Sequence, residues 1–144
     1  MFQELAEDRL SAWVGFRHSL TDSNTALEDI AEFWGNIKTI PFNYAVDPYN
    51  HFSWPNPWDI IANNIYDELT LAIIIGYTIK LTEEFKDSKV EVRTLVDSSR
   101  TRLYNLVHVN DIYVLNYERG MVIKAQDITD SFFIENMVEL ARPR

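Results

Sequence analysis

At residue 88 the hydrophobic period of this chain changes from 3.6 to 2, and that change limits the fold more than any other feature of the sequence. Upstream, Leu27, Ile30, Ala31, Trp34 and Ile37 recur at spacings of three and four, which gathers them on one stripe of a helix. Downstream, Val90, Val92, Thr94 and Val96 alternate with Glu91, Arg93, Leu95 and Asp97, the repeat of a strand whose side chains point to opposite faces. Helices segregated in sequence from an antiparallel sheet define an α+β class.

Before the change, Thr25 followed by Glu28 has the spacing of a capping box. It predicts an N-terminal helix from Ala26 to about Ile37, closed off before Pro41, since proline cannot extend the hydrogen-bond ladder. Residues 4 to 20 leave two readings open, a short helix around Trp13 and Phe16 or an irregular arm. A second helix has a sharp start, with Asn56 as cap, Pro57 at the first helical position and Asp59 in the first turn, where the helix dipole favours an acid. From there Trp58, Ile61, Ile65, Leu69, Ala72, Gly76 and Ile79 lie on one face, which predicts a central helix running unbroken from Pro57 to a stop near Glu84 to Asp87. Ile73, Ile74 and Ile75 favour strand by propensity, but the cap and the continuous face outweigh them. Around Leu71 and those isoleucines the helix is apolar on every side, as a helix covered by other elements is. Gly76 costs about 1 kcal/mol of helix propensity relative to alanine, so a strand or aromatic ring is expected to approach it closely.

After the change, four strands are predicted: Val90 to Val96, Arg102 to Val109, Ile112 to Tyr117 and Met121 to Ala125. Ser98-Ser99-Arg100, Asn110-Asp111 and Glu118-Arg119-Gly120 supply the turns between them. The expected architecture is a central helix packed on a four-stranded antiparallel meander, with the N-terminal helix beside it, all in a single domain over residues 1 to 144. Residues 1 to 20 are its arm. The tail, residues 127 to 144, stays open: Thr129 or Asp130 caps a short helix carrying Phe133, Met137 and Leu140, or the segment packs loosely or docks on a partner.

Several function classes fall away on composition. The chain has no cysteine, which removes disulfides, thiolate metal sites and thiol nucleophiles together. Its first nine residues lack a basic region followed by an apolar one, so no secretory signal is expected. The longest strongly apolar stretch, Leu69 to Ile79, is 11 residues and too short to span a bilayer. Of the net charge of −9, residues 1 to 72 carry −8, from 11 acids against Arg9, Arg17 and Lys38. Such a half repels a phosphate backbone, so direct duplex binding is not expected, and Arg93, Arg100 and Arg102 form the one basic set. The four glycines are scattered, which leaves no phosphate-binding loop, and no nucleotide or other cofactor is expected.

His108 is the residue closest to a catalytic candidate, lying in the second strand just before a hairpin. A base needs a nucleophile and an orienting group. Asp111 as the nearest local carboxylate, Asn116 on the next strand and Asp67 in the central helix are the available companions, but no serine sits in a nucleophile elbow. The ordinary reading of His108 is a strand histidine, hydrogen-bonded across the sheet or exposed. His18 and His51 have no neighbour at metal-ligand spacing, so no metal site is expected. The feature that best fits a function is the segment from residue 41 to 58, where four prolines alternate with six aromatics. It wraps over the core or over a partner, and Pro48, Tyr49, Phe52, Trp54, Pro55 and Trp58 are its candidate interface residues, since aromatics dominate interface anchors.

The order of a capped central helix, an antiparallel meander and a histidine ahead of Tyr113-Val114-Leu115-Asn116 resembles the core of the papain-like and transglutaminase-like superfamily. The resemblance implies a cysteine at the start of the central helix, a histidine on a following strand and an orienting acid or amide. His108 and Asn116 stand where the last two would fall, while the helix start offers only Ile61, Asn63, Asn64 or Asp67, so thiol activity is expected to be lost and the fold kept as a scaffold. The segments Asp29 to Trp34, Trp54 to Asp59 and Tyr113 to Tyr117 also resemble small uncharacterised proteins of tailed bacteriophages. That resemblance implies a non-enzymatic structural or adaptor subunit of a virion head, neck or tail, found in the virion or in the host cytoplasm during assembly, with other protein subunits as partners. The alternatives are a small hydrolase or amidase using His108, and an acidic inhibitor of a host protein.

Overall fold

A computed structural model describes residues 2–43 and 45–143. Among them the chain forms helices α1 (Ala6–Ser19), α2 (Ala26–Trp34), α3 (Pro57–Asn63) and α4 (Glu68–Leu81). Strands β1 (Val90–Asp97), β2 (Leu103–Val109), β3 (Tyr113–Leu115), β4 (Val122–Lys124) and β5 (Phe132–Glu139) follow. The fold is α+β, and the change of period falls between α4 and β1, where the sequence places it. Every strand pairing is antiparallel, in the order β4-β3-β2-β1-β5.

Register assigns the two faces of the sheet. Val90 lies opposite Val109, Val92 opposite Val107 and Thr94 opposite Asn105. These valines join Leu71, Ala72, Ile73, Ile74, Ile75 and Ile79 of α4 in the main core, together with Trp13 of α1 and Trp34 of α2. Because side chains alternate along a strand, Glu91, Arg93 and Leu95 and their partners His108, Leu106 and Tyr104 occupy the opposite, outer face. There Leu95, Leu106 and Val114 form a small second cluster under Ala125, Ile128 and Phe132, carried by the segment that crosses from β4 back to β5. Trp13 belongs to the first of the two alternatives for residues 4 to 20, a helix, and its indole N–H donates to Thr78 Oγ1 at 3.1 Å. Gly76 meets the expected close approach: a Cβ there would stand 2.5 Å from Leu140 Cδ1 and 3.6 Å from Val90 Cγ1.

The structure corrects four boundaries. The unbroken helix from Pro57 is two helices, because Asn64 turns into the left-handed region at φ 54° and Asp67 restarts the chain as the cap of α4. Ile61 and Leu69 are eight residues apart, so the apolar face stays in phase across the break and hides it. The helix that begins at Ala26 ends at Trp34 rather than Ile37, and Thr25 caps nothing; its hydroxyl donates to Asp29 Oδ2 at 3.2 Å instead. The third and fourth strands are shorter than expected, since Asn116, at φ 69°, ends β3 one residue after Leu115. The tail is neither a helix nor loose: it returns as a fifth strand on the free side of β1, with a register shift between Thr94 and Leu95. Phe132, Phe133, Ile134 and Val138 are good strand formers, and the Phe133 to Met137 spacing that suggests a helix joins two half-exposed residues.

Asp67 holds two elements at once. Buried to within 5% of full, it accepts from Thr70 N–H at 2.7 Å and from Asn43 N–H at 3.1 Å. Losing a cap costs about 1 to 2 kcal/mol, so Asp67→Ala is expected to lower stability by about 2 kcal/mol in urea unfolding, and Asp67→Asn, which keeps an acceptor, by less. Equal stability of Asp67→Ala and the parent chain would count against the tie to Asn43.

Candidate functional site

A concavity lies at the start of α4. Glu68 comes from the first turn of that helix, Asn105 from β2, and Asn116, Tyr117 and Arg119 from the end of β3 and the turn after it; together they line a groove of about 630 Å³. The sequence folds this way locally for identifiable reasons. Asn105 falls on the helix-facing side of β2, at the point where the valine alternation gives way to Thr94 and Asn105. Thr94 Oγ1 donates to Asn105 Oδ1 at 2.9 Å, and Asn116 Nδ2 donates to the Asn105 backbone carbonyl at 2.9 Å, so the first amide is held by Thr94 and the second by the β2 backbone. Arg119 reaches back to the carbonyl of Ile37 at 3.1 Å and to Glu68 Oε1 at 2.5 Å. Its turn is seated on the end of α2, where a Cβ on Gly35 would stand 2.8 Å from Gly120 Cα.

In this groove the acids and bases are Glu68, Glu118, Arg102 and Arg119, and the hydroxyls are the phenols of Tyr104 and Tyr117. Glu68 is taken up by Arg119. Tyr117 donates its hydroxyl to Asp130, and that bond, with some desolvation, pushes its pKa up to about 12. A phenol so held keeps its proton at neutral pH and does not serve as a nucleophile. The groove therefore offers hydrogen bonds and a guanidinium to a ligand, and no nucleophile paired with a base.

The three residues singled out as catalytic candidates do not meet. Asp67 is spent on capping α4 and on the bond from Asn43 N–H. Asn116 is in the groove, bonded to Asn105. His108 is on the outer face, opposite Glu91 of β1 and Val114 of β3, with the sheet between it and α4. It is neither exposed nor hydrogen-bonded across the sheet. Only 8% of it is accessible, and neither ring nitrogen has a hydrogen-bond partner among the described residues. Burial, and next the nearby Arg93, lower its pKa to about 4, against the opposing pull of Glu91 and Asp111. Asn105 and Arg119 were missed by motif reasoning. The signal for Asn105 was present, an amide at a core-facing position of an alternating strand; Arg119 had none beyond its turn.

The aromatic segment divides between the two roles left open for it. Trp54 and Trp58 are half-buried and pack against the main core, Trp58 edge-on to Trp13 at 6.4 Å, while the Trp54 indole N–H donates to the Asp47 carbonyl at 2.7 Å. Pro48 and Pro55 are half-buried. Tyr49 and Phe52 turn outward, 67% and 88% exposed, although hydrogen bonds from Ser53 N–H and Oγ to the Asn50 carbonyl hold the turn between them. Tyr44 lies outside the described residues. Among the described residues no group of three or more His, Asp or Glu is placed to hold a metal ion, and no helix is long and apolar enough to cross a membrane.

No family model matches this sequence, and no curated protein matches it. Two solved structures are similar to the chain. Calcium-bound LapG of Legionella pneumophila superposes with a TM-score of 0.70 at 18% identity, over 94% of this chain and 76% of LapG. EGTA-treated LapG gives 0.67 at 20% identity, over 90% and 71%. LapG has a transglutaminase-like, papain-like cysteine-protease fold. At these identities the likeness is one of fold, and it agrees with the superfamily core expected from the helix-then-meander order.

Proposed function

We propose that this chain is a non-enzymatic structural or adaptor subunit of a larger protein assembly, built on a cysteine-protease-like fold from which the nucleophile is missing. The observation that carries the reading is the groove at the start of α4. The superfamily's chemistry calls for a cysteine, a histidine and an orienting amide contributed by the helix start and the strands behind it; here those elements bring Glu68, Asn105 and Asn116 to the groove. The amides of Asn105 and Asn116 neither take a proton nor activate a neighbour, and Glu68 is held by Arg119. Tyr49 and Phe52 supply what an adaptor needs, rigid aromatic surface held ready before a partner arrives. The resemblance of residues 29 to 34, 54 to 59 and 113 to 117 to small proteins of tailed phages is what favours a virion head, neck or tail as that assembly.

The test has two arms. Chromogenic ester and amide substrates incubated with the purified chain are expected to hydrolyse no faster than in buffer; turnover that Asn105→Ala abolishes would sink the non-enzymatic reading. Co-expression with head, neck and tail proteins of a tailed phage is expected to yield a complex of fixed stoichiometry by size exclusion. The double change Tyr49→Ala, Phe52→Ala should weaken it at least about tenfold, the loss of one aromatic hot spot. A chain that stays a monomer beside every such protein ends the adaptor reading.

A further inference from the structure

The last strand leaves one edge of the sheet open. β5 pairs with β1 on one side, and no described backbone group hydrogen-bonds to its other side. The ladder ends fix which residues face that way. Leu140 N–H donates to the Val90 carbonyl at 2.8 Å, and Ser98 N–H donates to the Ser131 carbonyl at 3.0 Å. In an antiparallel pair the residues that bond a given neighbour alternate. Counting in from Leu140, Val138 bonds β1 while Met137 and Glu139 present their N–H and C=O outward; counting in from Ser131, Phe132 and Ile134 do the same. Natural edges are blunted with proline, lysine or a covering segment. β5 has no proline and no lysine, and Phe133, Ile134 and Met137 are about half exposed or more. The loop that carries Tyr49 and Phe52 makes no backbone hydrogen bond to this edge among the described residues; it is tied to β5 through a side chain, Asn136 Nδ2–H donating to the Pro48 carbonyl.

Charge decides what can add to this edge. The charged residues of β5 are Glu135 and Glu139, both exposed, in a chain of net charge −9. Strands pair at about 5 Å, inside the screening length of about 8 Å at physiological salt, so a second copy of this chain would bring like charge within unscreened range. We infer that β5 is a docking edge for an extended segment of a partner protein, apolar where it passes Phe133 and Ile134 and basic where it passes Glu135 and Glu139. Main-chain bonds to the open residues supply affinity, and the lysine or arginine positions supply selection. The inference rests on the adaptor reading above and names the kind of partner; the exposed Tyr49 and Phe52 extend the same surface on the helix side.

The probe is a dye-labelled octapeptide of alternating valine and threonine carrying two lysines, with a counterpart carrying two glutamates. Fluorescence polarisation is expected to show saturable binding of the basic peptide, at least about tenfold tighter than the acidic one. Amide exchange at Met137 and Glu139 should slow on binding. Met137→Pro removes an outward N–H while leaving the β1 ladder whole, and is expected to weaken binding at least about tenfold with circular dichroism unchanged. Should that variant unfold, Glu135→Lys with Glu139→Lys alters only exposed side chains and is expected to reverse the preference toward the acidic peptide. Absent binding of the basic peptide, binding indifferent to both variants, or dimerisation of the chain that Met137→Pro abolishes would each overturn the inference. None of these outcomes touches the hydrolysis arm, so the non-enzymatic reading can survive them.

Discussion

Gly76→Leu is expected to lower the stability of the chain by about 3 kcal/mol, roughly 10 °C in thermal midpoint, whereas Gly76→Ala should change it little. The difference follows from what surrounds the position. The first atom of any side chain meets the terminal methyl of Leu140, which can rotate away, and then stands at ordinary contact distance from Val90 and Val92. Alanine therefore needs one rotamer change and recovers about 1 kcal/mol of helix propensity. Leucine carries three further carbons into the layer between α4 and the sheet, where Leu71, Ile74, Val90 and Val92 leave at most 1% of their surface accessible. Its relief has to come from a shift of the sheet or of the end of β5. Adding Leu140→Ala to Gly76→Leu should restore part of the loss, a coupling readable in a double-mutant cycle. An unchanged midpoint for Gly76→Leu would show that the helix and sheet do not meet there.

How far the sequence discloses this fold depends on whether a signal is local. The change of period at residue 88, the Asn56-Pro57 cap and the Asn110-Asp111 hairpin are each complete within a few residues, and each holds. Asn56 accepts from Asp59 N–H at 2.9 Å, and Asn110 and Asp111 take φ values of 54° and 58°, as a tight hairpin between right-twisted strands requires. The break at Asn64 is local too, an Asn-Asn pair followed three residues later by a capping aspartate, but the apolar face runs in phase through it and masks it. β5 is the opposite case. Its residues carry strand propensity, but its place beside β1 rather than β4 is a pairing across 35 or more residues that no local pattern encodes.

The candidate site was legible in part for the same reason. The absence of cysteine settles the thiol question without any coordinates. Where the remaining residues gather does not follow from their types, because one step along β2 moves a side chain through the sheet. His108 and Asn105 are three residues apart, and that odd spacing puts the histidine on the outer face and the asparagine in the groove. The histidine, the more reactive residue, therefore faces away from the groove. Counting from Val107 and Val109, which must be buried in the main core, selects Asn105 instead.

His108 is expected to make the stability of this fold depend on pH between about 6.5 and 4. Held near pKa 4 in the folded chain against 6.5 when unfolded, it is neutral in both states above about pH 6.5 and adds no pH dependence there. As the pH falls from 6.5 toward 4 the unfolded chain takes up the proton and the folded chain does not, so stability declines through that window and levels off below it. At about 1.4 kcal/mol per unit, reduced because the imidazole borders a cavity open to water, the decline is on the order of 2 kcal/mol. Burial sets the sign, and the charged groups that face the ring modulate it. Arg93 disfavours the imidazolium, and Glu91 and Asp111, which hold Arg93 at 2.7 Å each, only partly offset burial. His108→Leu replaces the ring with an aliphatic side chain among Leu95, Leu106, Phe132 and Ile134 and removes two buried nitrogens that lack partners. The variant should match or exceed the parent at pH 7, and the gap between the two should widen by about 2 kcal/mol by pH 4 in urea titrations, since contributions from the carboxylates cancel in the comparison. An imidazole that titrates near 6.5 by NMR, or parallel stability curves for the two chains, would mean that His108 is not held neutral by its surroundings.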